Sequence, residues 1–382
     1  MSPKTKTLPL GEVATFKSGG TPNKSNADYW GGQFPWVSAK DLKYQVITDS
    51  IDHLTKSGFE VANIAPENSL LILVRGMTLY KDVPVCLAGR DVAFNQDIKA
   101  LVVSKELFPL YLMFYLHSQK NKLLDLVDSA GHGTGRLDTH SLKAFPVLVP
   151  ALPEQTSIVS LLSTWDIAIE RTERLISAQE KRFSWLLKES LSKGSIKGRW
   201  RRVKLGELFG KELVIEKGKP LIKENITEGD IPVVGGGKTY AFHHSSATHE
   251  MATITISASG ANAGFVWYHN YPLWASDCNV IYAKNVCIEF YYFVLKSLQE
   301  KIYALQSGGA QPHVYAKNMR NFIVPLPPIG QQKQIASILN TAQQEIDLLK
   351  KKTEAYRRQK RGLMQKLLAG AWRVKVAEDA RS

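Results

Sequence analysis

Steps of four and three residues from Ile158 land on Ile158, Leu162, Trp165, Ile169, Thr172, Ile176, Gln179, Phe183, Leu186 and Ser190. The same steps from Ile335 land on Ile335, Leu339, Ala342, Ile346, Leu349, Thr353, Tyr356, Lys360, Leu363 and Leu367. Seven of ten positions in the first series and eight of ten in the second are apolar. This heptad-like spacing, sustained in one common register, predicts two long helices that pair along the seam. The alternative is two unrelated amphipathic helices, each lying on its own domain. Elsewhere the apolar runs are short, as at Leu70–Val74, with Gly and Pro between them. That pattern predicts strands and turns in globular pieces. Pro150, Pro153, Pro327 and Pro328 stand where the long helices would begin, and proline suits a first helical turn.

The helical stretches belong to a larger repetition. Leu10-Gly11-Glu12-Val13 precedes Lys17-Ser18-Gly19-Gly20-Thr21-Pro22, and Leu205-Gly206-Glu207-Leu208 precedes Lys217-Gly218-Lys219-Pro220. Phe34-Pro35-Trp36-Val37 matches Ile231-Pro232-Val233-Val234, and Leu70–Val74 matches Ala252–Ile256. Asn95–Ile98 matches Ala275–Cys278, Tyr111–Leu116 matches Tyr291–Leu295, and Phe145–Ile158 matches Phe322–Ile335. From Pro150 and Pro327 onward the offset is a constant 177. A series of matches in one order argues for duplication, with each half a globular piece followed by a helix. A helix of about 40 residues is about 60 Å long. The link from Gly194 to Val203 reaches at most about 28 Å. Antiparallel pairing is therefore expected, with a pseudo-two-fold axis relating the halves.

Charge adds a partner class. Lys and Arg number 49 and Asp and Glu 35, a net charge of +14 that points to a polyanion, most often nucleic acid. The bland alternative is a merely basic surface. Residues 153–193 carry six acids and six bases, whereas residues 328–370 carry three acids and nine bases. Lys350, Lys351, Lys352, Arg357, Arg358, Lys360 and Arg361 are clustered there. They suit phosphate contact, a solvated face or an acidic partner protein. No apolar run nears the ~20 residues of a membrane span. The opening Met-Ser-Pro-Lys-Thr-Lys-Thr has no apolar stretch after it, so no signal peptide is expected and a cytoplasmic location is. Three cysteines, Cys86, Cys278 and Cys287, form neither an even disulfide framework nor a zinc-knuckle spacing. No metal site is expected.

Catalytic motifs fail one by one. Gly236-Gly237-Lys238-Thr239 looks like a phosphate loop, but the glycine needed earlier is Pro232. His249-Glu250 lacks the second histidine of a zinc protease, since Thr253 stands there. His243-His244 has no ligand partner at metal spacing. Asp82 with Asp97-Ile98-Lys99 has the look of a metal-dependent nuclease, yet its repeat counterpart, Asp277-Cys278-Asn279, lacks the lysine. No dinucleotide fingerprint is present. What remains is a basic, duplicated protein without catalytic residues, whose two dissimilar heads would read two dissimilar half-sites at a set spacing. The rivals are a stand-alone nuclease using Asp82, Asp97 and Lys99, and a structural scaffold.

Pro150-Ala151-Leu152-Pro153-Glu154-Gln155-Thr156-Ser157-Ile158 and Pro327-Pro328-Ile329-Gly330-Gln331-Gln332-Lys333-Gln334-Ile335 resemble the Pro-Leu-x-x-Glu-Gln-x-x-Ile entry into the conserved helices of type I restriction-modification specificity subunits. Gln331 departs from the usual glutamate. Leu10-Gly11-Glu12-Val13 with Gly19-Gly20-Thr21-Pro22 resembles the start of that family's target recognition domains. The resemblance covers nearly the whole chain. It implies an α+β fold of two α/β-type recognition domains with mixed sheets, separated by two long antiparallel coiled-coil helices. The expected division is 1–150 and 198–327 for the recognition domains, 151–197 and 328–372 for the helical spacers, and 373–382 for a tail. It also implies a non-catalytic subunit that reads a bipartite, asymmetric site in double-stranded DNA and docks two methylation subunits. Those partners bind S-adenosylmethionine and methylate adenine; this chain itself needs no cofactor. Restriction subunits are a further partner. Recognition residues vary within such a family, so they are chosen by chemistry: Arg, Lys, Asn, Gln and His in glycine-rich or turn-like segments. In the first head these are Lys17, Lys24, Arg75, Gln96, His132 and Arg136, and in the second Lys217, Lys219, Lys238, His243, Asn262 and His313. The apolar members of the two heptad series form the expected helix–helix interface.

Overall fold

The structure is a computed structural model that describes residues 5–130, 133–196 and 200–374. Its main helices are α1 (Pro109–Ser118), α2 (Leu152–Ile196), α3 (Ile288–Ser297) and α4 (Ile329–Leu368). The chain forms two compact units, residues 1–171 with 352–382, and residues 172–351. The boundary runs through α2 and α4, so each unit holds a head and half of each long helix.

In the first unit a five-stranded sheet runs in the order Ala14–Ser18, Ile98–Val103, Leu70–Leu73, Val85–Ala88, Val46–Ile47. A second sheet is mixed, with Trp36–Val37 parallel to Ala93–Phe94. Tyr111 through Leu116 of α1 are all buried, as expected of a helix apolar on every face. Lys6–Pro9 pairs antiparallel with Pro146–Val149, which ties the start of the head to the foot of α2.

The second unit repeats this plan. Its main sheet runs Leu213–Lys217, Cys278–Ala283, Thr253–Ser257, Val266–His269, the same neighbour order as the first four strands above. Val233–Val234 lies parallel to Trp274–Ala275, and Arg201–Lys204 pairs with Ile323–Leu326. Strand pairing corrects two details of the expected alignment. Leu70 faces Leu101 and Leu73 faces Ile98, while Ile254 faces Ile281 and Ser257 faces Cys278. Leu70 therefore corresponds to Ile254, two residues along from the expected match. A shift of two leaves every side chain on its original face, so the apolar pattern did not reveal it. Likewise Lys217 faces Asn279 as Ser18 faces Lys99, so Lys217 corresponds to Ser18 and not to Lys17.

Within each unit the halves of α2 and α4 run antiparallel. In the first, Glu154 meets Arg373 at 2.8 Å, Asp166 meets Lys360 at 2.5 Å, and Trp165 sets its edge on Tyr356 at 5.5 Å. In the second, Gln179 donates to Glu345 at 3.0 Å and Lys350 meets Glu180 at 2.6 Å. Phe183, Leu187, Leu339 and Ile346 form a cluster there with Phe293 of α3. None of the fifteen expected apolar seam residues is exposed. Lys360 leaves the basic surface cluster: it occupies a seam position, is 8% exposed, and lies 4.8 Å from the Phe114 ring centroid.

The structure also explains the Gln of the helix-entry motif. Gln155 is fully buried; its Oε1 accepts from Phe108 N (2.7 Å), and its Nε2 donates to Glu106 O (2.9 Å) and Pro150 O (2.8 Å). Gln332 does the same work for α3, accepting from Cys287 N (3.0 Å) and donating to Pro327 O (2.9 Å). Each glutamine fastens the start of a long helix to the start of the aromatic helix above it. Cys86, Cys278 and Cys287 are free and buried, and burial pushes their thiols up to about 12, 12 and 11. Among the described residues no helix is long and apolar enough to cross a membrane.

Candidate nucleic-acid interface

In each unit several of the chosen polar residues gather around one turn that leads from the second, mixed sheet into the main sheet. In the first unit the turn is Asn95–Asp97, closed by Asn95 Nδ2 donating to Asp97 Oδ2 at 3.1 Å. The glycine loop lies directly on it: Gly20 N donates to Phe94 O at 2.8 Å, and Thr21 Oγ1 donates to Gln96 Oε1 at 2.7 Å. A Cβ on Gly19 would sit 2.0 Å from Asn95 O, so only glycine permits this approach. From the other side Val74 N and Arg75 N donate to Asp97 O at 2.8 and 3.3 Å. Arg75 then pairs in antiparallel register with Arg136, within a three-stranded ribbon of Val127–Ala130, Thr134–Leu137 and Arg75–Gly76. Lys17, Lys24, Arg75, Gln96 and Arg136 are all exposed. Lys24 lies 5.9 Å from the Trp36 ring centroid, a cation–π contact.

The second unit rebuilds this cluster with other side chains. Gly218 N donates to Cys278 O and Lys219 N to Ala275 O, both at 2.8 Å, and a Cβ on Gly218 would sit 2.1 Å from Ser276 O. Ala258 N donates to Asp277 O at 3.2 Å, and Ser259 Oγ donates to Asp277 Oδ2. Ser259 bridges to His313, so the pair Arg75–Arg136 of the first unit has become Ser259–His313. His313 stacks on Tyr315 at 6.1 Å, and Lys317 lies 5.7 Å from the Tyr315 ring centroid. Lys238 lies 5.6 Å from the Phe265 ring centroid, and Phe265 N donates to Asn262 O. Lys217, Lys219 and Lys238 are exposed; Asn262 and His313 are half-buried.

His243 sits mid-hairpin opposite Pro232, against Tyr240 at 4.9 Å. His132 lies outside the described residues. The sequence missed the exposed apolar neighbours: Met77 and Tyr80 just beyond Arg75, and Tyr315 beside His313. Their only sequence signal was proximity to a glycine-flanked polar residue. The nuclease constellation does not assemble. Asp82 pairs with Lys120 at 2.8 Å, Asp97 is held by Asn95, and Lys99 Nζ donates to Ser18 Oγ at 2.6 Å. Among the described residues no group of three or more His, Cys, Asp and Glu is placed to hold a metal ion.

Two mixed α+β units, each with a polar loop cluster and half of each long helix, define a class of duplicated recognition proteins. The family model described as the type I restriction modification DNA specificity domain matches residues 4–179 and again 197–355. The chain belongs to this family, whose role is recognition of a DNA sequence, and both copies of the domain are present. It is 25% identical to the MjaIX specificity subunit of Methanocaldococcus jannaschii, over 96% of this chain and 92% of that one. It is 28% identical to the EcoR124I/EcoR124II specificity subunit of Escherichia coli over 183 residues, 46% of this chain and 45% of that subunit. Among solved structures, the S subunit of a type I restriction-modification system from M. genitalium shares the fold, with TM-score 0.67 and 20% identity over 96% of both chains. A chain from a study of complex assembly in the type I system shares it at TM-score 0.60 and 16% identity, over 96% of this chain and 98% of that one.

Proposed function

We propose that the chain reads a two-part, asymmetric sequence in double-stranded DNA, one half with each unit, inside a cytoplasmic complex that methylates adenine. Two methylation subunits, carrying S-adenosylmethionine, dock on the helical halves, one per unit; restriction subunits join them where the complex also cleaves. The observation that supports this best is the pair of corresponding loop clusters. Glycine loop, Asp-containing turn and two-residue bridge recur on the same backbone plan, yet the exposed chemistry changes from Arg75 and Arg136 to Ser259 and His313. A core kept while the presented side chains differ is what two different half-sites require. The net charge of +14 suits the phosphate backbone that both clusters would approach.

The test exchanges residues 1–145 for another recognition head and maps methylated adenines in a host that also expresses the methylation partners. One half of the methylated sequence should change, while the other half and the gap stay as they were. Change in both halves would overturn the division of labour. Equal binding of the assembled complex to its methylated sequence and to a scrambled duplex would favour the scaffold alternative.

A further inference from the structure

Arg75 and Arg136 are placed in a way that folding alone does not reward. They are directly opposed in an antiparallel ladder, so their side chains share one face of the ribbon with Cβ atoms about 5 Å apart. Like charges in that relation destabilise a sheet. Both are exposed; Asp128 faces Arg136 from the other neighbouring strand, Arg75 faces only Arg136, and Asp138 comes only within 3.9 Å of Arg136 Nη2, too far for a close charge-assisted bond. The ribbon around them carries little bulk: Gly76 and Gly133 adopt φ of +150° and +73°, and Gly135 precedes Arg136. Two guanidinium forks are thus presented side by side on a slim, glycine-rich edge, without a carboxylate between them.

We propose that this arginine pair is the guanine reader of the first unit, each fork placed to bond the O6 and N7 acceptors of a guanine in the major groove. The inference rests on the DNA-reading function above and assigns the chemistry of one half-site. Two forks about 5 Å apart at their bases can converge on neighbouring guanines, because stacked bases rise about 3.4 Å per step along a strand. Among side chains Arg makes the bidentate match to guanine most often. Met77, 74% exposed, and Tyr80, 50% exposed, follow Arg75 and supply apolar surface for a neighbouring thymine methyl or sugar. The second unit lacks the device. Ser259 spends its hydroxyl on Asp277, and His313 stacks on Tyr315, so its half-site carries no guanine requirement at the corresponding position.

The experiment uses the full chain co-expressed with its methylation partners. Methylated sequences are mapped for the parent, for Arg75→Lys and Arg136→Lys, and for the double Arg75→Ala/Arg136→Ala variant; the head exchange identifies which half-site belongs to the first unit. That half-site should contain guanine. In each Lys variant its selectivity for guanine should fall about ten- to a hundred-fold, with the other half-site unchanged. Binding to unrelated DNA should survive, since lysine keeps the charge. The Lys variants decide the matter even if the double Ala variant folds poorly, and thermal melting of each checks that. Three results overturn the proposal: a first-unit half-site without guanine; Lys variants with parental base preference; or Ala variants that weaken all DNA alike and lower the salt slope by about one per arginine, with Lys restoring both, the mark of phosphate contacts. A parent complex without sequence-specific methylation would instead overturn the DNA-reading function itself.

Discussion

Gln155 shows how much a single buried amide organises. Three backbone groups, Phe108 N, Glu106 O and Pro150 O, have this side chain as a partner. Gln155→Ala takes away this partner from all three in a largely buried site, and at about 1 kcal/mol each the loss should be about 3 kcal/mol in a urea titration. Gln155→Glu should not restore it, because a carboxylate there would face two carbonyl oxygens. Gln332→Ala, which frees two groups, should cost about 2 kcal/mol. His269 makes a different kind of prediction. It is fully buried, its ring nitrogens meet Thr255 Oγ1 at 2.8 Å and Tyr271 Oη at 3.0 Å, and burial lowers its pKa to about 4. Between about pH 6.5 and about 4 the unfolded chain takes up a proton that the folded chain refuses, so stability falls as pH drops through that window, by up to about 3 kcal/mol. His117, also lowered by burial, acts with the same sign. Thermal melting across pH should show this slope, and His269→Asn should flatten it.

The two halves of the helix seam are made from different materials at equivalent places. In the first unit α4 contributes Lys360, which meets Asp166 of α2 and caps the face of Phe114 on α1. An offset of 177 places Phe183 where Lys360 stands and Gln343 where Asp166 stands. There the cation comes from the head instead: Lys296 of α3 lies 5.6 Å from the Phe183 ring centroid and donates to Gln343 Oε1 at 3.2 Å. Each unit therefore keeps one ammonium against an aromatic ring between helix and head, supplied from opposite sides. Removing one member of the ion pair should be costly. Lys360→Ala should lower stability by about 3 kcal/mol, because Asp166 is left without its cation in a mostly buried site. The double variant Lys360→Met/Asp166→Asn should recover most of that, since a neutral pair of similar volume needs no desolvated charge. A double-mutant cycle measured by chemical unfolding checks both, and additive losses would contradict the coupling.

Across the whole chain, duplication separates two tasks that a single domain would have to combine. The heads carry variable chemistry on a repeated backbone plan, and the helices α2 and α4 pass through both units with a repeated seam. Under the proposed function the helices set the interval between half-sites. Adding one heptad to each long helix, after Arg171 and after Lys351, lengthens each by about 10 Å. The gap in the methylated sequence should then grow by about three base pairs, with neither half-site altered. Altered half-sites with an unchanged gap would reverse the assignment of roles.

Periodicity and repetition along the chain were enough to determine the duplicated plan, the two long helices and their seam. Those features depend on local spacing and on patterns that recur at a fixed distance, both of which survive in a linear text. Proline placement located the helix starts for the same reason. Register within the sheets was decided only in three dimensions: a shift of two residues preserves the inside–outside alternation, so Leu70 and Ala252 looked equivalent although Leu70 and Ile254 are. The burial of Lys360 was decided there too, because its acid lies 194 residues away on the other helix. The same holds for the recognition edge. Arg75 and Arg136 were legible singly as cations beside glycines, but their opposition across a ladder arises only when distant strands meet, and contact between remote residues is what a sequence read in order does not encode.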